Sequence, residues 1–160
     1  NMRQNKFNVK TDKADRTFNG IVFDSNLEMK YYRDVILPKY NSGEIKHFER
    51  QKKYILQPGY ILGGKKVLPI IYKADFYIVY SNGEEEVIDT KGCPDAVAKI
   101  KKKMFGYVFP NVTYLWKSYS LKDGGWLNYD DIQKARKLRK KQKKEQIKEI
   151  KDNEQSSKRK

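Results

Sequence analysis

Tyr72 to Gly92 reads YKADFYIVYSNGEEEVIDTKG, and its alternation of apolar and polar residues around Asn82-Gly83 confines the segment to a β-hairpin. The strands carry two acids, Asp75 and Asp89, with Lys91 two residues beyond the second. Strand side chains alternate between faces, so Asp89 and Lys91 project the same way. The turn decides whether Asp75 joins them. A two-residue loop of Asn82-Gly83 pairs Ser81 with Glu84 and sets Asp75 opposite Thr90, on the wrong face. A three-residue loop of Ser81, Asn82 and Gly83 pairs Tyr80 with Glu84 and sets Asp75 opposite Asp89. Gly83 suits the left-handed last position of that longer loop. In that register the carboxylates lie about 5 Å apart at Cβ, close enough to hold one divalent ion between them. A solvated polar face also carries Asp, Glu and Lys, but Asp is depleted from strand interiors and two facing acids repel unless a cation intervenes.

Charge narrows the choice of partner. The 160 residues hold 35 Lys+Arg against 20 Asp+Glu, a net +15, which points to a polyanion such as nucleic acid. Residues 131–160 carry 13 basic and 5 acidic side chains, and the remainder is basic too. The length allows one domain with a modest core and a tail. A single cysteine, Cys93, excludes a disulfide framework and suits a reducing cytoplasm. No apolar run reaches the length of a membrane span, so no membrane partner is expected. One histidine, His47, cannot support a histidine-metal nuclease centre or, with one cysteine, a structural zinc site.

Residues 1–17 are polar and aperiodic, and are expected to be mobile. A helix is predicted from Ser25 to about Tyr40, with Leu27, Tyr31, Tyr32, Val35 and Ile36 as its buried stripe. Ser25-Asn26-Leu27-Glu28 is a capping-box pattern, in which Glu28 would reach back to the Ser25 amide. Ile45–Leu56 reads as the first strand and contains Gln51. Gly63-Gly64-Lys65-Lys66 reads as a basic loop tip within reach of a DNA backbone. After Gly92 a second helix is expected, with Pro94 in its first turn and Val97, Ile100 and Met104 facing the sheet. Lys99, Lys101, Lys102 and Lys103 would then form a row that is either a solvated face or a phosphate-binding one. Val112–Trp116 would be the fourth strand, and Lys117 onward would leave the sheet through Gly124-Gly125. The expected class is α/β of the α+β type, a mixed four-stranded sheet with a central antiparallel hairpin flanked by helices. Its core spans 18–128, and a basic, helical or partly disordered tail spans 129–160. In that tail Arg136, Lys137, Arg139, Lys140 and Lys141 are candidate phosphate contacts. Its apolar stripe is thin, so the tail is expected to project into solvent.

Asp75 followed by Asp89-Thr90-Lys91 resembles the acid, gap, acid-x-Lys pattern of the PD-(D/E)XK nuclease superfamily. Residues 18 to about 117, FNGIVFDSNLEMKYY through YLWK, look similar throughout to its small phage-encoded branch related to Holliday-junction resolvases. Lys73-Ala74 stands where the pattern's name has proline. The resemblance implies a restriction-endonuclease-like core and Mg²⁺- or Mn²⁺-dependent cleavage of DNA, acting on branched intermediates in a bacterial host's cytoplasm. It implies Glu28 as the acid from the first helix, beside its capping reading, and Gln51 as a polar residue facing the site. Asp75, Asp89 and the Thr90 carbonyl would hold the ion, with Glu28 completing its shell. Lys91 would orient water or stabilise the transition state. A homodimer would suit a four-way junction. Alternatives are a subunit of a transposase-like or recombination complex, and a non-catalytic module on the same fold that binds nucleic acid or a host protein.

Overall fold

A computed structural model of the chain describes residues 12–157. A turn at Ala14–Arg16 leads into a short ribbon of β1 (Thr17–Phe18) and β2 (Ile21–Val22). One unbroken helical run follows: α1 (Asn26–Tyr31), a π-helical stretch (Tyr32–Ile36) and α2 (Leu37–Asn41). Ser25 caps it, its Oγ accepting from the Glu28 amide at 3.0 Å. The π stretch has a local cause. Pro38 lacks the amide that would close on Asp34, and the ladder widens so that the Leu37 N–H reaches the Tyr32 carbonyl five residues back. The widened turn lets Tyr31, Tyr32 and Ile36 all be buried, with Glu28 and Met29 one turn earlier. Leu27 and Val35, expected in the buried stripe, are only half-buried.

Then come β3 (Ile45–Gln57), β4 (Tyr60–Leu62), β5 (Lys65–Val67), β6 (Ile70–Tyr80), β7 (Glu85–Thr90), α3 (Ala96–Val108), β8 (Thr113–Ser120), β9 (Gly125–Asn128) and α4 (Tyr129–Ser157). The class is α+β. The main sheet has the order β3-β6-β7-β8-β9 and is mixed, because β7 and β8 run parallel and every other neighbour is antiparallel. A parallel pair needs a crossover, which α3 supplies. The sheet has five strands, not the expected four. Chain from Lys117 does not leave it: β8 continues to Ser120, and left-handed Gly124 and Gly125 turn the backbone into β9.

The β6–β7 register is the one a three-residue loop dictates. Phe76 pairs with Ile88 and Val79 with Glu85, Tyr80 N–H donates to the Glu84 carbonyl, and Gly83 takes φ 88°. One further step in this register sets Asp75 opposite Asp89.

Two cores lie on opposite faces of the sheet. On one, Met29, Tyr31, Tyr32 and Ile36 pack against Phe23, Ile45, Phe76, Ile78 and Ile88; on the other, Phe105 packs against Leu56, Tyr72, Ala74 and Val87. Ala74 and Phe76 belong to different cores although they share strand parity. The same exchange occurs on β3, where Phe48 faces the first core and Tyr54 and Leu56 the second. The pleat therefore changes phase on both strands at once, between Arg50 and Lys52 and between Ala74 and Phe76. Gln51 sits at the change with φ 58°, a left-handed conformation that side-chain-bearing residues rarely hold. Both strands shift, so the ladder on either side keeps one register.

Three expectations about helices need correction. Asp95 caps α3, accepting from the Ala98 amide at 2.8 Å, so Pro94 stands before the cap and not in the first turn. Val97 and Ile100 are exposed; the inward face is Phe105 with Met104, because that set, one turn on, meets the aromatic core. The expectation that the tail would project into solvent needs correction only at its start, where α4 is anchored to the core. Ile132 is fully buried, Tyr129 packs edge-on to Trp116, and Arg139 grips Asp123 through two hydrogen bonds. Leu138, Ile147 and Ile150 are exposed. The mobile segment expected at 1–17 lies outside the described residues over 1–11, while 14–18 adopt the turn and β1.

Candidate active site

The change of pleat in β3 and β6 and the end of β7 put Asp75 within electrostatic reach of Asp89 and Glu28. Glu28 and Asp89 are each 1% exposed, and Asp75 keeps only a partial opening to solvent. Glu28 uses both oxygens: Oε2 accepts from the Asp24 amide at 3.0 Å, and Oε1 from Gln51 Nε2 at 2.8 Å and Arg50 Nη2 at 3.4 Å. The capping box is thus only half formed. Ser25 caps the helix, but the Glu28 carboxylate serves the Asp24 amide and the site, not the Ser25 amide. Arg50 also lies 4.0 Å above the Phe23 ring, which fixes its guanidinium beside Glu28.

Asp75 Oδ2 accepts from Thr90 twice, from the amide and from the hydroxyl, each at 2.7 Å. Thr90, expected to contribute its carbonyl, is therefore also the clamp that orients Asp75. Burial raises the Asp75 pKa most, and the charges of Asp89 and Glu28 add to it. The Thr90 hydrogen bonds work the other way, and the balance puts Asp75 at about 8. A buried carboxyl that holds its proton near neutrality is a mark of sites that bind cations or move protons.

Lys91 Nζ stands 2.5 Å from Asp89 Oδ2, so its ammonium offsets a charge that would be costly to bury alone. The contact is not aligned as a hydrogen bond, and Asp89 Oδ2 is a buried acceptor with no hydrogen-bond donor. Gln51 Oε1 is a second such acceptor. Turning the amide round would aim that oxygen at the Glu28 carboxylate, so its orientation is electrostatically fixed. A buried carboxylate pair of which one member is raised toward neutrality by the other's charge, beside a buried Gln51 oxygen with no donor, is an arrangement that a hard divalent cation would relieve. Asp75, Asp89 and Gln51 offer oxygen donors of the hard type that Mg²⁺ or Mn²⁺ prefers. Among the described residues no three His, Cys, Asp or Glu side chains converge with ligand geometry.

An aromatic chain beside Asp89 carried no signal in the sequence. Trp116 Nε1 donates to the Tyr114 hydroxyl at 2.6 Å, and that hydroxyl donates to Tyr72 at 2.8 Å. Burial first and the Asp89 charge second push both tyrosine pKa values up. Tyrosine and tryptophan in strands read as ordinary core, so no local pattern marks this hydrogen-bonded series.

The candidate phosphate contacts divide. Lys65 and Lys66 are exposed on β5, which with β4 forms a hairpin and not a loop tip. Lys99 and Lys103 are exposed on α3, but Lys101 donates to the Ile71 carbonyl and Lys102 sits 4.3 Å over Trp116 and 3.6 Å from Asp130. The four do not form one row, since 101 and 102 share the inward face with 105. Arg136, Lys137, Arg139, Lys140 and Lys141 are exposed on α4, with Arg139 tied to Asp123. His47 lies on the edge strand near Glu49 and away from the acids. No described helix is long and apolar enough to cross a membrane.

A family model described as "Protein of unknown function (DUF1064)" matches residues 5–125, which includes every residue of the acidic centre. No curated protein matches the chain.

Proposed function

The chain belongs to the family described as protein of unknown function (DUF1064), and we propose that it is a Mg²⁺- or Mn²⁺-dependent DNA endonuclease with a restriction-endonuclease-like core, acting on branched recombination or replication intermediates. The observation that carries this reading is buried Asp75 held near neutrality by its burial and the Asp89 and Glu28 charges, with Lys91 against Asp89 at 2.5 Å. Phosphodiester hydrolysis needs a screened anion, a positioned water and a stabilised transition state; a bound divalent ion would supply the first and lower the pKa of the water. Asp75, Asp89, Gln51 Oε1 and the Thr90 carbonyl would hold it. Thr90 orients Asp75 through two hydrogen bonds, and Gln51 and Arg50 hold the Glu28 carboxylate, which would leave it beside the ion. Lys91, now paired with Asp89, would offset charge on the phosphorane-like transition state.

The test is purified protein on linear, flapped, forked and four-way DNA with Mg²⁺, Mn²⁺ or EDTA. Asp89→Asn is expected to abolish cleavage while DNA binding stays near wild type, because a cation ligand goes and no phosphate contact does. Lys91→Ala should cut turnover by about 10²-fold or more and leave metal binding intact. Full-rate cleavage by Asp89→Asn would refute the site. One observation favours a second reading, a non-catalytic nucleic-acid-binding module: both Glu28 oxygens are already satisfied within the protein. DNA binding with no metal-dependent cleavage on any of the four substrates would select it.

A further inference from the structure

Between β3 and β6 the chain builds a ribbon, β4 with β5, that belongs to no larger sheet. Its turn is Gly63-Gly64 with φ of 55° and 75°, two left-handed residues that match the twist of a tight hairpin. An isolated two-stranded ribbon is marginal in water. Its base is nonetheless closely packed, since a Cβ on Gly59 would meet the Val67 carbonyl at 3.0 Å and Pro69 at 3.3 Å. Its tip is not. Ile61 is 67% exposed, Leu62 64% and neighbouring Leu68 69%, a concentration of bare aliphatic surface with a use.

The charge pattern says what covers it. Residues 50–74 contain six basic side chains and no Asp or Glu. In the ribbon's register Ile61 pairs with Lys66 and Leu62 with Lys65, so each face presents one aliphatic group beside one ammonium. Protein interface cores are depleted in lysine. A nucleic acid asks for the pairing: an apolar side chain against base faces and a cation against the adjoining phosphate. Base faces are open only where stacking is broken, as at a fork, a flap or a junction centre. The ribbon also lies at a set distance from the acidic centre, because β3 runs from Gln51 to Gln57 in six residues, about 20 Å of strand.

We infer that the β4–β5 hairpin is a wedge for DNA with unstacked bases, in which Ile61 and Leu62 insert at the branch while Lys65 and Lys66 hold the flanking phosphates. This rests on the endonuclease reading and names the substrate feature that the same site selects.

The experiment measures binding of the full chain in EDTA to a four-way junction, a fork and a linear duplex, each with 2-aminopurine at or near the branch position. With Ile61→Gln/Leu62→Gln, affinity for junction and fork should fall about tenfold while the linear duplex changes less than about twofold. The rise in 2-aminopurine fluorescence at the branch should disappear and the salt slope should stay. With Lys65→Gln/Lys66→Gln, all three DNAs should weaken alike and the slope should drop by about two. An unchanged branch preference, an equal loss on linear DNA, or a shift in sedimentation of the free protein with no effect on DNA would each overturn the wedge, the last by assigning the ribbon to a second copy of the chain. Because no metal is present, these outcomes stand apart from cleavage: a wild-type protein that shows the wedge signature yet never cuts sinks the endonuclease reading alone.

Discussion

Asp75 is the residue whose ionisation the fold controls most. Its pKa in the folded protein, about 8, lies above the ordinary value of 3.8, so the folded chain keeps a proton that the unfolded chain gives up. Stability is then fullest below pH 4, declines as pH rises from about 4 to 8, and is level above. Thermal melts in EDTA should show that decline, Asp75→Asn should flatten it, and Mg²⁺ should raise the melting temperature more at pH 8 than at pH 5. A slope unaltered by Asp75→Asn would place the titration elsewhere. Gln51 offers a second test. Gly and Ala both remove its amide from Glu28, but only Gly holds φ 58° at ease, so Gln51→Gly should be more stable than Gln51→Ala by about 1 kcal/mol. At this scale much of the site was legible: spacing and turn chemistry fix Asp75 against Asp89, and strand alternation puts Lys91 with Asp89. The Thr90 clamp and the Trp116-Tyr114-Tyr72 chain were not, because donors to a carboxylate from a neighbouring strand leave no local pattern.

Among the elements, α4 combines an anchor with an arm. Ile132 fixes its first turn, and Ile132→Ala should cost about 2–5 kcal/mol, measured by denaturant unfolding. Beyond Arg139 its basic side chains face solvent. Deleting residues 140–160 keeps both Ile132 and the Arg139 to Asp123 pair, so it should spare the fold. That deletion should weaken binding to every DNA alike and make its salt dependence shallower without moving the cut position. Equal affinity and slope for both lengths would leave α4 as a solubilising helix. The helix itself was readable from its composition and its acidic start. Its anchor was not, since a single isoleucine in a charged run gains meaning only from the pocket formed by β8 and β9. That pocket in turn depends on β9, a four-residue strand whose two glycine neighbours read as an exit from the sheet. In α3 the apolar spacing suggested the wrong face, because Phe105 meeting Tyr54, Tyr72 and Tyr114 outweighs Val97 and Ile100.

For the whole molecule, the family match ends at residue 125, four residues before α4 begins, so the acidic centre and the wedge lie inside the shared part and the arm outside it. If the substrate is a four-way junction, two symmetric cuts require paired centres, and sedimentation with junction DNA should give a twofold dimer. A strict monomer with and without DNA would point to nicking or flap cleavage. The coupled change of pleat at Gln51 and Asp75 bears on how such a chain can drift over generations. A residue gained or lost in one strand alone would turn Phe76 and Ile78, or Tyr72 and Ala74, out of their cores. Only matched changes in both strands keep the two halves in phase. The length of this strand pair is therefore more tightly held than its exposed side chains are, and the count of residues between Gln51 and Asp75 should vary only in the ribbon that hangs from their far end.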